Sequence, residues 1–244
     1  MTADRPAPAA PEGFAAPRRA AAFERRIRDA FHEFVGDARF PCLAAKATLR
    51  PGRDDDDDLH VYGVLGSVTV SDALAMDLGR FARRMSSAGP RLTTFIAIFT
   101  GRPPASERAF ERRLWSQLQL LHDRDDPAMG WDPTVSADPD DPRFSFSFAG
   151  TAFFVVGLHP KSSRLARRFR CPALVFNPHA QFEQLRRDGH FERLRDLIRA
   201  RDIALQGSIN PSLADFGERS EAAQYAGRDT TEGPWRCPFQ RRSP

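Results

Sequence analysis

The stretch RFSFSFAGTAFFVVGL, residues 143–158, decides the fold class of this sequence. Every second residue from Phe144 to Phe148 is phenylalanine, alternating with serine, which is the two-residue period of a strand with one apolar face. The second half is an uninterrupted apolar run, and Ala149-Gly150 lies between the halves as a tight turn would. The stretch therefore predicts an antiparallel β-hairpin whose second strand is buried.

Elements on either side of the hairpin form a mixed pattern of strands and helices. Strand-like runs occur at residues 59–68, 91–100 and 171–176, and helical periodicity occurs at 17–36, 71–85, 106–121, 179–187 and 191–201. Ser71 is expected to cap the second of these helices, and a further helix is expected to start after His159, at Ser162 or Ser163. The fold class that follows is α+β (mixed α/β): a single central mixed sheet with a β-hairpin, covered by helices.

Composition sets the domain organisation. Residues 1–16 are rich in Pro and Ala and are expected to be a disordered tail, and residues 17–244 are expected to form one domain. The aspartate run within residues 50–58 reads as a solvated connector. The sequence shows no signal peptide and no apolar run near the roughly 20 residues that span a bilayer, so we expect a cytoplasmic protein without membrane association.

The charge pattern and the cysteines exclude several classes of function. The formal net charge is +4, and the cations are nearly all arginine, with Lys46 and Lys161 the only lysines. Because the arginines are interspersed with Asp and Glu, the pattern argues against nucleic-acid binding. Three cysteines without CxxC spacing indicate neither a disulfide framework nor a zinc site. The phenylalanine content is compatible with a homodimer.

Two predicted strands end in a histidine next to proline, His159 before Pro160 and His179 after Pro178. Ligands collect at strand ends, so both histidines are candidate site residues. A parallel arrangement would bring them to one edge of the sheet, whereas an antiparallel one could place them at opposite edges. After His159 the chain offers residues that suit an anion, although a solvated basic turn explains them equally well. These candidate anion-binding residues are Ser162, Ser163, Arg164, Arg167 and Arg168.

The C-terminal quarter contains carboxylates along a largely irregular path. Asp215, Glu218 and Glu221 could hold a cation such as a guanidinium, with stacking from Tyr225 or Trp235. A C-terminal extension that packs over the core is the alternative. The sequence contains no P-loop, GxGxxG, HExxH or GxSxG motif.

Several ordered motifs carry a resemblance to a known family. They are FPC at 40–42, HPKSSRLARRF at 159–169, FNPHAQFEQLR at 176–186, LQGSINPSLADFG at 205–217, SEAAQYAGR at 220–228 and CPF at 237–239. Together, from about residue 20 to residue 240, the sequence resembles the YqcI/YcgG family. Characterised relatives are haem-dependent N-oxygenases of natural-product pathways, such as the arginine N-hydroxylase of D-cycloserine biosynthesis and the pre-guanitoxin N-hydroxylase.

The resemblance implies a single haem-binding catalytic domain that uses haem b, O2 and an external electron donor to hydroxylate a nitrogen of a small guanidine or amine. Under this hypothesis His159 is the axial ligand of the iron, with His179 as the alternative, and either one acts in catalysis. Cys42 joins the serines and arginines that follow His159 in the cofactor site, and thiolate ligation competes with imidazole ligation. The carboxylates near Tyr225 hold the substrate.

Two other functions fit the same residues. The protein could bind or sense haem without catalysis, or it could be a non-haem enzyme with an anion-binding His/Arg site.

Overall fold

A computed structural model of the chain describes residues 15–49, 58–85, 92–231 and 233–241. Of the tail expected at residues 1–16, residues 1–14 lie outside these ranges, and Ala15 and Ala16 already belong to the first helix. The charged connector also lies outside the described residues, apart from Asp58.

Five strands form one mixed sheet. The strands are β1 (Leu59–Tyr62), β2 (Phe95–Phe99), β3 (Phe146–Phe148), β4 (Thr151–Leu158) and β5 (Ala173–Pro178). Their order across the sheet is β1-β2-β5-β4-β3. The pair β1 and β2 is parallel, and every other neighbouring pair is antiparallel. This sheet confirms the predicted α+β class.

Helices cover both faces of the sheet. They are α1 (Ala15–Gly36), α2 (Leu43–Thr48), α3 (Val68–Met85), α4 (Glu107–His122), α5 (His179–Arg187), α6 (Phe191–Gln206) and α7 (Ala222–Tyr225). Within the described ranges, no helix has the length and apolarity that a membrane crossing requires.

The hairpin of β3 and β4 turns where the sequence predicts. Phe148 pairs with Thr151, so Ala149 and Gly150 form a two-residue loop. Both loop residues have positive φ, 50° for Ala149 and 69° for Gly150. A two-residue loop with this handedness matches the twist of the strands that it joins.

The two faces of β4 bury different parts of the structure. Phe153 and Val155 point into the main core, which α3 and α4 supply from one side of the sheet. Phe154 and Val156 point to the other side, where α1 covers part of the sheet through a second apolar cluster. The remainder of that second face is roofed by α5 and α6, and a cavity lies beneath them.

Two helix predictions are wrong in detail. Helix α3 begins at Val68, so Ser71 lies inside it, where its hydroxyl donates to the carbonyl of Ser67 (2.9 Å) and accepts from Gln117 Nε2 (2.8 Å). Ser71 therefore connects α3 to α4 and does not cap α3. After His159 the chain forms only a short 3-10 turn, Leu165–Arg167, because its polar groups bind other segments instead.

Candidate functional site

A large apolar cavity lies between the second face of the sheet and α6. Its volume is about 360 Å³, within the range of small-molecule and cofactor sites. Phe154 and Val156 of β4 form its floor, α1 and α2 contribute a side wall, and Leu194 and Ile198 of α6 form its roof. The lining is mostly hydrocarbon, so the cavity suits a ligand with a large apolar body.

Charged side chains also line the cavity. Four arginines and two aspartates leave a formal net charge of +2 on the lining, which favours a ligand with negative groups. These residues are Arg164, Arg167, Arg195, Arg199, Asp202 and Asp215. Three of the six belong to α6, where the spacing of 195, 199 and 202 puts them on one helical face.

Arg164 is committed to a buried polar cluster. Its Nη2 lies 2.6 Å from Asp202 Oδ2, and its Nη1 donates to Ser208 Oγ at 3.1 Å. The side chains of Arg164 and Asp202 are only 9% and 14% exposed, so this ion pair is shielded from water. It attaches α6 to the segment that follows β4.

Arg167 differs because main-chain carbonyls are its hydrogen-bond partners. Its Nη1 donates to the carbonyls of Gln224 (3.0 Å) and Tyr225 (3.1 Å). Burial lowers the pKa of this guanidinium to about 10, and the Asp202 charge partly offsets the effect. The group is therefore protonated at pH 7, while Asp202 is ion-paired to Arg164. Within the described part of the chain no carboxylate forms an ion pair with Arg167, so this side chain presents a cation to the cavity.

Asp215 is the one predicted substrate carboxylate on the cavity wall among the described residues. Its Oδ2 lies 2.6 Å from Arg195 Nη1, and its Oδ1 lies 3.0 Å from Arg199 Nη2. Two guanidinium groups of the chain itself therefore occupy the carboxylate that was predicted to hold a substrate guanidinium.

Cys42 lies on the wall where the FPC motif meets α2. Its Sγ caps the helix by accepting a hydrogen bond from the Ala45 main-chain N–H at 3.4 Å. Burial raises the pKa of the thiol. Among the described residues of the wall, Cys42 is the one that carries a sulfur or imidazole group able to bind iron.

His159 lies away from the cavity. Its ring stacks on Phe110 of α4 with centroids 4.3 Å apart, on the main-core side of the sheet. Its Nδ1 accepts a hydrogen bond from the Lys161 main-chain N–H at 3.3 Å, and burial lowers the pKa of the ring to about 4. The ring is therefore neutral at pH 7 with its proton on Nε2. An imidazole ligand normally binds metal through a nitrogen without a proton and donates from the other nitrogen, so this geometry disfavours ligation.

His179 lies at the opposite end of the paired strands β4 and β5 from His159. Because β4 and β5 are antiparallel and in register over six residue pairs, the two histidines are separated by the length of the strands, roughly 20 Å. His179 is buried at the start of α5, its Nε2 is 3.6 Å from Glu221 Oε1, and its ring packs on Phe216. The structure therefore does not bring His159 and His179 together, and neither lines the cavity.

The remaining predicted residues stabilise local structure. Ser162 Oγ accepts from the Arg164 main-chain N–H (3.2 Å), and Ser163 donates to Glu107 from both its main chain and its hydroxyl (2.8 Å each). Arg168 donates to the Ser162 carbonyl. The three predicted arginines therefore take different directions, because the 3-10 turn does not give them the common face of an α-helix.

Two further predicted residues organise the C-terminal segment. Glu218 accepts a hydrogen bond from the Asp215 main-chain N–H at 3.2 Å. The hydroxyl of buried Tyr225 accepts from the Phe146 main-chain N–H (2.9 Å) and donates to the Phe153 carbonyl (3.2 Å). Tyr225 therefore ties α7 to both strands of the hairpin.

The sequence reasoning missed the charged residues of α6. Arg195 and Arg199 fall within the helix predicted over residues 191–201, to which the sequence assigns no functional residue, and Asp202 follows it directly. A usable signal exists, because they recur at helical spacing beside Leu194 and Ile198, which also line the cavity. Charges at the border of an apolar stripe indicate a polar rim around a buried site.

Comparison with known proteins identifies the family. The chain matches the family model described as YqcI/YcgG over residues 31–240. The uncharacterized protein YcgG of Bacillus subtilis strain 168 is 31% identical over 222 residues, which cover 85% of this chain and 84% of YcgG. The uncharacterized protein YqcI of the same strain is 26% identical over 227 residues, which cover 86% of this chain and 85% of YqcI. No solved structure matches the chain. The chain belongs to the YqcI/YcgG family.

Proposed function

We propose that the protein is a haem-dependent N-oxygenase that hydroxylates a nitrogen of a small guanidine or amine, and that haem b binds in the cavity beneath α6. The observation that carries the proposal is the lining of this cavity. It combines apolar walls with a net charge of +2, which matches an apolar ring that carries two carboxylates. The reaction comes from the resemblance to haem N-oxygenases.

Different residues of the cavity would bind different parts of the cofactor. Phe154, Val156 and Ile198 would pack on the porphyrin ring and exclude water. Arg167, which has no carboxylate partner among the described residues, would bind one propionate, and the arginines of α6 would bind the other. When bound, haem supplies the iron at which dioxygen is activated with electrons from an external donor.

We propose that the Cys42 sulfur would bind the haem iron in place of either histidine. It is on the cavity wall, and the Ala45 N–H already donates to its sulfur, an interaction that would stabilise a thiolate. Binding to iron displaces the thiol proton, which offsets the burial that raises the thiol pKa.

The substrate would meet a cavity whose acidic group is already paired. A guanidinium or ammonium substrate would compete with Arg195 and Arg199 for Asp215. Propionate binding to these arginines would weaken their hold on Asp215 and leave the carboxylate free for the substrate cation. Cofactor and substrate binding would then be positively coupled.

The cofactor proposal is tested by an absorption spectrum of the protein purified from haem-supplemented cells. A Soret band is expected, and a chain that binds no haem under reconstitution refutes the proposal. The ferrous–carbonyl spectrum of the wild type is expected to show the red-shifted Soret band of a thiolate complex.

The axial ligand is tested by comparing Cys42→Ser with His159→Ala and His179→Ala. The cysteine variant is expected to lose the thiolate spectrum, and both histidine variants are expected to keep it. If Cys42→Ser kept the wild-type spectrum and one histidine variant changed it, that histidine would be the iron ligand.

Catalysis is tested separately. Haem-loaded protein is incubated with a reductant, O2 and a panel of arginine-like guanidines and amines, and the products are analysed by mass spectrometry. One added oxygen atom on a substrate nitrogen is the expected result. A haem-loaded protein that oxidises no member of the panel would favour haem binding or sensing without catalysis.

A further inference from the structure

All three tryptophans of the chain lie in one aromatic cluster with Tyr225. The Trp115 ring is stacked on Tyr225, with centroids 5.7 Å apart and an interplanar angle of 23°. The centroid of the Trp235 ring lies 6.5 Å from that of Trp115, with an interplanar angle of 45°. Trp131 belongs to the same cluster but reaches the row through phenylalanines, Phe239 towards Trp115 and Phe144 towards Tyr225. Tyr225, Trp115 and Trp235 therefore form a continuous row of oxidisable rings.

The inner end of this row touches the cavity wall at two points. The Tyr225 ring packs edge-on against Phe154, with centroids 5.8 Å apart, and Phe154 lines the cavity. The main-chain carbonyl of Tyr225 accepts the hydrogen bond from Arg167, which also lines the cavity. A group bound in the cavity would be separated from Tyr225 by a single layer of side chains.

The outer end of the row reaches solvent and has a proton acceptor. Trp235 is only partly buried, and its Nε1 donates to the carboxylate of Glu111 at 2.8 Å. This distance is within the range for direct proton transfer. The Tyr225 hydroxyl instead donates to a main-chain carbonyl, which is too weak a base to take the phenolic proton. The row therefore has its proton-coupled site at the surface end, and Tyr225 acts as a bridge.

We propose that Tyr225, Trp115 and Trp235 form an electron-transfer route between the cavity and the protein surface. The proposal rests on the proposed function, because it requires a redox centre in the cavity. In the step, a peroxide-derived oxidant held in the cavity would gain one electron, Trp235 would lose that electron, and the proton of Trp235 Nε1 would pass to the Glu111 carboxylate. A soluble one-electron donor such as ascorbate then returns the electron to the neutral indolyl radical, which regains its proton from Glu111. The rings are in near contact, and electronic coupling falls steeply with distance, so this row is favoured over paths through aliphatic side chains.

The route would protect the enzyme when an oxidant forms without substrate. The row would deliver an electron to the oxidant before the oxidant attacks the residues of the cavity wall. The resulting tryptophan radical would then be reduced at the protein surface.

The experiment treats haem-loaded protein with hydrogen peroxide in the absence of substrate. Electron paramagnetic resonance detects protein radicals, and peptide mass spectrometry locates oxidised residues. In the wild type we expect an indolyl radical and oxygen addition at Trp235, both suppressed by ascorbate. In Trp115→Phe we expect the Trp235 signal and its oxidation to be lost and oxidation to appear on the cavity wall, with faster bleaching of the Soret band. The Trp235→Phe variant, which retains Trp115, should also lose the indolyl radical.

The matched control is Trp131→Phe, which removes a tryptophan from the same cluster but not from the row. This variant is expected to behave like the wild type. Equal oxidation of Trp235 in the wild type and Trp115→Phe would overturn the route while leaving the haem proposal intact, and so would bleaching of wild-type haem without any tryptophan radical. A protein that binds no haem would overturn both.

Discussion

Arg167 shows how a single side chain prepares the cavity for an anion. Its guanidinium is partly buried, and two main-chain carbonyls are its hydrogen-bond partners. A hydrogen bond to a charged group contributes roughly 1.5–3 kcal/mol, so we expect Arg167→Leu to weaken haem binding about 10- to 100-fold. Absorbance titration of the protein with haemin measures the change.

The control for this prediction is Arg170→Leu. Arg170 is exposed, and its guanidinium donates to the main-chain carbonyl of Arg26, outside the cavity lining. We expect this variant to bind haem like the wild type. If both arginine variants bound haem equally well, Arg167 would have no role in anion recognition.

His159 gives the stability of the fold a dependence on pH. The pKa of its ring is about 4 in the folded protein and about 6.5 when exposed. Because the folded state disfavours the proton, the full stability is present above pH 6.5 and is lost as the pH falls towards 4. The loss is about 3 kcal/mol at most. Urea unfolding at pH 7 and at pH 4.5 measures it.

The variant His159→Gln tests whether this histidine is the source. Glutamine keeps a polar group but does not titrate, so the acid loss of stability should shrink relative to the wild type. His190, which is exposed, provides the comparison through His190→Gln. An undiminished acid loss in His159→Gln would assign the effect to other groups.

At the scale of elements, β4 and α4 pack closely because position 157 has no side chain. A β-carbon added to Gly157 would lie 2.6 Å from Phe110 Cε1 and 2.9 Å from Leu114 Cδ1. We expect Gly157→Ala to reduce the free energy of unfolding by about 1–3 kcal/mol through overpacking. Gly36→Ala at the end of α1 is the control, since nothing lies within 4 Å of an added β-carbon there. Equal unfolding curves for the two variants would contradict the prediction.

Helix α6 covers the cavity without being packed as a core helix. None of its 16 residues is fully buried, and positive-φ glycines, Gly189 and Gly207, stand just before and just after it. Its attachments are largely polar, such as the Arg164–Asp202 ion pair. Such an element has low local stability and can open without global unfolding.

We therefore expect the amides of α6 to exchange with deuterium faster than those of α4 in the haem-free protein. Helix α4 is the internal reference because Phe110, Leu114 and Leu118 bury one of its faces. Haem binding should slow the exchange of α6 and leave α4 nearly unchanged, as measured by mass spectrometry. Equal exchange of the two helices without haem would show that α6 is not a movable cover.

For the whole molecule, a ligand beneath α6 would connect the sheet to its cover. Binding to the folded state alone stabilises a protein by mass action, about 2.7 kcal/mol at a free ligand concentration of 100 times Kd. We expect the midpoint of thermal unfolding to rise with haem concentration and to rise less in Arg167→Leu. A midpoint that does not depend on haem concentration would show that haem does not bind preferentially to the folded protein.

Much of the fold could be predicted from local patterns. The hairpin turn at Ala149-Gly150, the capping of α4 by Ser106 and the limits of α5 follow from residues close together in the chain. Ser71 and the segment after Ser162 could not be predicted in this way. Their hydrogen bonds go to Gln117 of α4 and to Glu107, Asp202 and Ser208, which are distant in sequence.

The candidate site depended even more on distant contacts. Cys42, Arg164, Arg167 and Asp215 were candidates from the sequence and do line one cavity. His159 was also a candidate and packs on the other side of the sheet. Residue type identified the chemistry, but the face of the sheet and the direction of each strand decided which groups could meet.

Local patterns predicted the strands, the longer helices, the α+β class and the family, because periodicity, turn residues and ordered motifs are local features. They did not predict the short helices α2 and α7. The antiparallel pairing of β4 and β5 is seen in the tertiary structure alone, and it separates His159 from His179 by the length of the strands. The tertiary structure also decided that α6 closes a cavity lined by Cys42 and by a net charge of +2. Strand order and the docking of a helix are set by the burial of apolar surface between segments far apart in the chain, and no local pattern records that choice.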